Sequence, residues 1–373
     1  MRVAFYPVLK APNHPVPSGD REMARLLLAA LHRAGHEAEI ASHFRSFSKT
    51  PDPQRLVLLE AAAQAETTRL LAYWNGAGRH ERPEIWLTYH LYYKAPDLIG
   101  PAIAADLDIP YVVAEASHAQ KRNRDAWQAW QAHVEQALQA ATVVLCFTPV
   151  DRDGLQRLPK LAAQLLDLPP FIDVGPQSEP SSRLEPSDRH GPVRLVTLAM
   201  MRGGVKLQSY RFLALALQSL DDLDWRLTII GDGPARAEVA AAFAGFAPGR
   251  IVWAGPVARA DVAQHLEDAD IFLWPGFGEA YGLVYLEAQA VGLPVIALNC
   301  GGVASTMRPG QTGLLVDDQE PQAYAAAVRH LVGDAAVRLA MGRAARRFMH
   351  DERNLDMAAG IISRAIRLAA KAT

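Results

Sequence analysis

Two carboxylates, Glu279 and Glu287, bracket seven residues within the stretch WPGFGEAYGLVYLEAQAVGLPVIALNCGG, residues 274–302. The stretch reads as a strand, a glycine-studded turn, a helix and a buried strand. A helix opening near Gly282 leaves backbone N–H groups unpaired in its first turn and points the positive end of its dipole the same way. Such an end suits phosphate or sugar oxygens. Glu279, in the turn with Gly276, Gly278 and Gly282, can accept hydrogen bonds from sugar hydroxyls. Glu287, just over one helical turn beyond Gly282, can hold a ribose diol. The plainer alternative stays open: a charge at a helix N-terminus and a solvated helix residue.

Two cations form a second group, in AMMRGGVKLQSY. Arg202 and Lys206 leave the end of a strand on a glycine loop, where they can clamp a diphosphate and stabilise it as a leaving group. Solvated loop cations are the alternative. GDGPARAE, residues 231–238, lacks the third glycine of a dinucleotide fingerprint. It is either a turn lining a nucleotide pocket or a plain strand-to-helix turn. In PSGDREMARLL, Ser18 and Gly19 precede a helix. Close backbone approach to a diphosphate or acceptor is one reading, and an N-cap by Ser18 or Asp20 is the other. His118, in EASHAQKR, follows a strand and either lines a cleft near a reacting sugar carbon or is an unpaired surface histidine. His90 sits at another strand end. In KRNRDAWQAW, Lys121, Arg122 and Arg124 beside Trp127 and Trp130 could meet an anionic acceptor or a membrane surface. The favoured reading is that the tryptophans pack a helix onto a sheet.

The elements that must position these residues alternate. Strands are expected at 3–6, 36–41, 85–89, 111–114 and 143–147, with helices at 22–34, 56–73, 96–107 and 128–140 between them. After the Pro- and Ser-rich stretch 173–192 the alternation restarts. Strands are expected at 195–199, 226–230, 251–253, 271–274 and 295–298. Helices are expected at 210–220, from 235, at 261–269, at 283–291 and over most of 323–370. This is an α/β chain of two doubly wound parallel sheets: an N-terminal domain 1–172, a linker 173–192 and a C-terminal domain 193–351. Ligands are expected at the carboxyl ends of the strands and in a cleft between the halves.

Bulk properties exclude other classes. A formal net charge of -2 over 373 residues gives no general drive toward nucleic acid. Two cysteines, Cys146 and Cys300, do not make a disulfide framework or a paired metal site. The opening MRVAFYPVLK, with Pro7, Pro12 and Pro15, leaves no room for a secretory apolar run, and no later run has the length of a membrane span. A cytoplasmic enzyme is expected, with peripheral contact at the inner face of a membrane left open.

The second half resembles glycosyltransferase family 4, of the GT-B fold. The signs are Arg202 and Lys206 after a strand, GDGP at 231–234, the Glu279 and Glu287 pair, EAQAVGLPVIA at 287–297, Gly301 and Gly302, and TGLLV at 312–316. They occur in the family's order over most of 194–350. The first half is similar more loosely, through Gly19, AGHEAEI and the strand-end histidines. The resemblance implies two Rossmann-like domains facing across a cleft, with a nucleotide-sugar donor held by the C-terminal one. It places Arg202 and Lys206 on the diphosphate, Glu287 on the ribose and Glu279 on the donor sugar. Gly19, Gly278, Ala280, Tyr281, Gly282 and Leu283 join the donor site, and Glu279 and His118 are the catalytic candidates. It further implies retention at the anomeric carbon, no metal and no cofactor beyond the donor, and a last helix, from about 352, returning to the first domain. A UDP- or GDP-sugar is expected ahead of an ADP-sugar, and the acceptor is a glycan, a lipid or a small molecule. Two departures stand out: Leu207 where the family has Gly, and Ser305 where it has Glu. A GT-B epimerase or phosphorylase and a nucleotide-binding protein with a dead site are the rivals. A dehydrogenase is poorly supported, because no complete GxGxxG follows the first strand.

Overall fold

Short runs of Val, Ile, Leu and aromatic residues, apolar on both faces, build strands that must be covered on both sides. A computed structural model describes residues 1–78, 80–175, 191–317 and 319–372. The chain divides into two units, Met1–Pro169 with Leu355–Thr373, and Pro170–Asn354.

The first unit runs β1 (Arg2–Pro7), α1 (Gly19–Arg33), β2 (Glu37–Ile40), α2 (Pro53–Gly76), β3 (Ile85–Leu91), α3 (Gly100–Leu107), β4 (Tyr111–Ala116), α4 (Gln128–Ala140), β5 (Val143–Cys146), α5 (Pro149–Gln156) and β6 (Gln164–Asp167). The six strands form a parallel sheet in the order β2-β1-β3-β4-β5-β6. β4 is buried along its whole length, as a central parallel strand should be. α1 buries Met23, Leu26, Leu27 and Leu31 at helical spacing. Its first turn carries Asp20 and Glu22 and its last His32 and Arg33, the charge order that a helix dipole favours. The closing helix of the chain, Leu355–Ala372, packs on α1, where Arg33 pairs with Asp356 at 2.5 Å.

The second unit runs β7 (Val193–Leu198), α6 (Val205–Gln218), β8 (Trp225–Ile230), α7 (Arg236–Ala242), β9 (Ile251–Gly255), α8 (Val262–Glu267), β10 (Ile271–Leu273), α9 (Leu283–Ala290), β11 (Val295–Leu298), β12 (Gly313–Val316), α10 (Pro321–Gly333) and α11 (Ala335–Glu352). Its sheet is also six-stranded and parallel, in the order β12-β11-β10-β7-β8-β9. Leu195, Leu227, Ile229, Ile271, Phe272 and Val295 form its centre. The expected helical stretch 323–370 is three helices, the second capped by Asp334, whose Oδ1 accepts from the Val337 N–H at 3.0 Å. The first division between units falls after Pro169. Ile172 belongs with the second unit, where its N–H donates to the Arg353 carbonyl at 3.0 Å. Most of the expected linker, residues 176–190, lies outside the described residues. No helix among the described residues is long and apolar enough to cross a membrane.

Each sheet reverses its winding beside its first strand. β1 lies between β2 and β3, and β7 between β8 and β10. Loops leaving the carboxyl ends of such neighbours run in opposite directions and open a crevice. β7 and β10 carry the two richest motifs of the sequence out of that edge.

Candidate functional site

The loop 199–204 leaves β7 and the loop 274–282 leaves β10, from paired neighbouring strands. Two contacts draw them together. The Phe277 N–H donates to Ser209 Oγ on α6 at 3.1 Å. Gly278, at φ +68, lies so close to α6 that a Cβ would sit 3.0 Å from both methyls of Val205. The next residues on each side are Lys206 and Glu279, and they form an ion pair. Trp274 Nε1 donates to the same carboxylate oxygen, Glu279 Oε1, at 3.0 Å. The Lys206 ammonium also stands over the Trp274 ring, 5.3 Å from its centre. Trp274 is fully buried with its ring against Tyr210, so it is a fixed wall for the pair. Arg202 is exposed on the same loop as it leaves β7.

Gly276 and Gly282 of the 274–282 turn have a common cause. Tyr285 lies beneath it, its hydroxyl donating to the Trp274 carbonyl at 3.2 Å. A Cβ on Gly276 would lie 2.1 Å from that hydroxyl, and one on Gly282 2.6 Å from the ring. Both glycines have positive φ, and Gly282 starts α9 with no side-chain cap. Gly301 and Gly302 hold the turn from the other side. The Gly302 N–H donates to the Ala280 carbonyl at 2.6 Å, and a Cβ on Gly301 would sit 2.2 Å from the Glu279 carbonyl. Tyr281 and Leu283 are buried, while Ala280 is exposed. The turn therefore presents Glu279 and the open end of α9 from a rigid backbone.

The GDGP turn has a structural explanation. A Cβ on Gly231 would lie 2.1 Å from the Ala199 carbonyl, and one on Gly233 2.4 Å from that of Met201. Met201 and Asp232 are joined by a backbone bond of 2.9 Å, and the Ala235 N–H donates to Met201 at 2.9 Å. The turn supports the loop that carries Arg202. Gly231→Ala is expected to cost about 2 kcal/mol through strain at its positive φ. A urea midpoint equal to that of the wild type would contradict this close approach.

Glu287 is not a solvated helix residue. Its carboxylate pairs with Arg259, which follows β9, and its side chain is only 11% exposed. Both residues line a cavity of about 590 Å³ with Arg346 and His350. No motif marks Arg259, a single cation in GPVARADV.

In the first unit, Ser18 caps α1, its Oγ accepting from the Arg21 N–H at 3.2 Å. Gly19 is the first residue of that helix, and a Cβ there would meet nothing within 4 Å. His118 is buried rather than superficial. Its Nε2 bonds Glu135 Oε1 at 2.8 Å, and Asn123 Nδ2 donates to the same oxygen at 2.7 Å. Trp127 and Trp130 are buried with Leu56 and Leu59 and so fasten α4 to α2. His90, near the end of β3 at the other reversal of winding, adopts φ +69, and Glu115 on neighbouring β4 adopts φ +59. Left-handed backbone at two neighbouring non-glycine residues is strain that the surroundings must hold. His90 Nδ1 is 3.3 Å from Asp20 and 4.0 Å from Glu115. Burial opposes the imidazolium, but Glu115 and Asp20 outweigh it and lift the His90 pKa to about 9. Asp20 is half-buried, and although that burial opposes its charge, the neighbouring His90 holds its carboxyl below the ordinary value. Residues this far apart in sequence left no spacing by which to find the cluster.

Residues 193–334 match the family model described as Glycosyl transferases group 1. The D-inositol 3-phosphate glycosyltransferase of Pseudarthrobacter chlorophenolicus is 39% identical over 135 residues, 35% of this chain and 32% of that protein. That of Paenarthrobacter aurescens is 43% identical over 90 residues, 24% of this chain and 22% of that protein. The matched segments thus span less than a third of these relatives, between 22% and 32% of their lengths. Among solved structures, sucrose-phosphate synthase from Thermosynechococcus elongatus has a TM-score of 0.73 at 19% identity, with 100% of both chains covered. The Anabaena protein HepE, in complex with UDP, has a TM-score of 0.68 at 13% identity, covering 98% of this chain and 100% of that one. The chain has the α/β, two-unit architecture of GT-B glycosyltransferases, and its second unit carries the segment that matches the glycosyl transferases group 1 model.

Proposed function

We propose that the protein is a glycosyltransferase of family 4 that moves a sugar, with retention, from a nucleoside-diphosphate sugar to an acceptor hydroxyl, without a bound metal. The observation that carries this reading is the Lys206, Glu279 and Trp274 cluster, set where β7 and β10 diverge and beside the uncapped start of α9. Lys206 and Arg202 take the diphosphate. Its arrival gives Lys206 an anion of higher charge than Glu279, and frees the carboxylate to accept hydrogen bonds from the donor sugar. Arg259 and Glu287 stand in the same relation, with Glu287 turning to the ribose diol. The family-model match over 193–334 covers all these residues. A UDP-sugar is the first donor to try, since HepE was solved with UDP. A GDP-sugar is the second.

In the reaction the acceptor oxygen forms a bond to the anomeric carbon on the face from which the diphosphate leaves. The bond from that carbon to the phosphate oxygen breaks, and the acceptor proton passes to the departing oxygen. Lys206, Arg202 and the first turn of α9 stabilise charge that grows as the bond breaks, so they act more strongly on the transition state than on the ground state. The first unit takes the acceptor, with His118 as its candidate contact.

The test is to follow nucleoside diphosphate released from UDP-, GDP- and ADP-sugars in the presence of a mixed acceptor pool, with and without EDTA. The expected result is release from one sugar nucleotide that depends on acceptor and is insensitive to EDTA. Conversion of a sugar nucleotide without release of the diphosphate would replace the reading with an epimerase. No turnover of any donor would leave a binding protein.

A further inference from the structure

A surface helix turns its charged residues to solvent, opposite the face it buries. α2 does not. Its inner face buries Leu56, Leu59, Ala63, Leu70 and Trp74. On the opposite side Val57, Leu58, Ala61, Ala65, Thr68 and Ala72 follow one another at helical spacing, all exposed, and that line holds no charge. Val57 and Leu58 are 62% and 64% exposed. The Thr68 hydroxyl is turned back on the helix, donating to the Gln64 carbonyl at 2.9 Å. The carboxylates of α2 are drawn to its flanks, Glu60 to His133 at 2.8 Å and Glu66 to Arg69 at 2.8 Å. A helix apolar on both sides is one that is covered on both.

Two features identify the cover. The first is size. The line is bulky at one end, with Val57 and Leu58, and small at the other, with Ala72 and Gly76. A two-fold axis at Ala65, perpendicular to the helix, would lay a second copy of α2 antiparallel on the first and set Leu58 of each copy on Ala72 of the other. A parallel copy would oppose bulk to bulk and leave the small ends apart. The second feature is charge. A groove of about 530 Å³ runs beside the last turns of α2, lined by Arg69 and Tyr73 and by Glu37 and Glu39 of edge strand β2. Its arginines, Arg2 and Arg69, are already paired, with Glu84 and Glu66. Glu37 and Glu39 are exposed and make no side-chain hydrogen bond or ion pair among the described residues. Arg55 makes none either, and it lies five turns of about 3.6 residues before Tyr73, on the same flank of the helix. Antiparallel copies related by that axis meet flank to like flank, so Arg55 of each would enter the groove of the other.

We propose that the protein is a homodimer in which α2 packs antiparallel on α2 of a second copy, with Arg55 of each copy set against Glu37 and Glu39 of the other. The inference is independent of the glycosyltransferase reading. The helix strip, about 36 Å long and about 10 Å wide, covers about 360 Å² on each partner. Specific interfaces begin at about 600 Å² per partner, and the groove contact must supply the rest. The dimer is therefore a weak one, with a dissociation constant in the micromolar range.

The test is sedimentation equilibrium of the full chain from about 1 to 200 μM. A monomer–dimer equilibrium is expected. Ala65→Glu, which sets two carboxylates together at the axis, should weaken it about tenfold or more, and Arg55→Glu should weaken it in the same direction. Adding Glu37→Arg and Glu39→Arg to Arg55→Glu in one chain should restore it. All four positions are exposed, and unfolding curves beside each variant show that the fold is kept. Monomer at every concentration, or a dimer indifferent to Ala65→Glu, overturns the proposal. Loss of the dimer in Arg55→Glu without rescue by the reversed pair overturns the antiparallel arrangement. Co-sedimentation of a monomeric wild type with phosphatidylcholine vesicles, lost in Ala65→Glu, would replace the second copy with a membrane.

Discussion

Lys206→Ala is expected to lower turnover by about 10²–10³-fold, the usual loss when one stabiliser of developing negative charge is removed. The loss should fall on kcat more than on KM, because the charge on the leaving diphosphate is greater in the transition state than in the bound donor. The fold should survive. The Lys206–Glu279 pair is partly exposed, at 24% and 15% for the two side chains, so removing the cation takes away little stability. Glu279 keeps its bond from Trp274 Nε1. Lys206→Arg is not a neutral control, because a planar guanidinium cannot occupy the place of an ammonium over Trp274. Steady-state rates for the wild type and both variants, with unfolding curves beside them, check this. Turnover equal to wild type in Lys206→Ala removes Lys206 from the site.

Stability is expected to fall as pH rises through about 9, by about 3 kcal/mol in total, because of His90. The folded protein raises the pKa of His90 from an ordinary 6.5 to about 9. Its contribution is therefore complete below the ordinary value and is lost as pH climbs to the folded value. Asp20 has the opposite sign. Its folded value lies below the ordinary one, so its contribution is lost only as pH falls into the acid range. His90→Asn separates this titration from backbone strain, since Asn tolerates the left-handed conformation that His90 adopts at φ +69. Urea unfolding at pH 6 and pH 9.5, values placed on either side of the titration, should show a pH-dependent loss in wild type that is largely absent in His90→Asn. Equal losses in the two proteins would mean that His90 is not the titrating group.

The alternation of strands and helices was legible because buried parallel strands are short apolar runs and their covering helices are amphipathic. β6 and α5 were not. Gln164–Asp167 is a half-exposed edge strand, and Pro149–Gln156 buries only Leu155, so neither has the pattern that reports burial. α6 begins at Val205, five residues before the expected start at 210, because Gly203 and Gly204 followed by exposed Val205 look like loop. Within the site, the sequence identified the residues that leave the strand ends and missed their partners. Arg259 lies on Glu287, Glu135 on His118, and Asp20 and Glu115 on His90, all joined by topology rather than by spacing. The glycines were legible as a pattern, but their cause was not. Gly276 and Gly282 are required by Tyr285, and Gly231 by the Ala199 carbonyl.

The proposed function requires a nucleoside diphosphate held by Lys206 and its neighbours in the second unit. Its most direct test is thermal unfolding of wild type and Lys206→Ala with UDP, GDP, ADP and NAD, each with and without EDTA. A ligand that binds only folded protein adds about 2.7 kcal/mol of stability at a hundred times its dissociation constant. The expected result is a higher Tm with one nucleoside diphosphate, unchanged by EDTA and lost in Lys206→Ala. No shift with any nucleoside diphosphate, or a shift with NAD alone, would contradict the account.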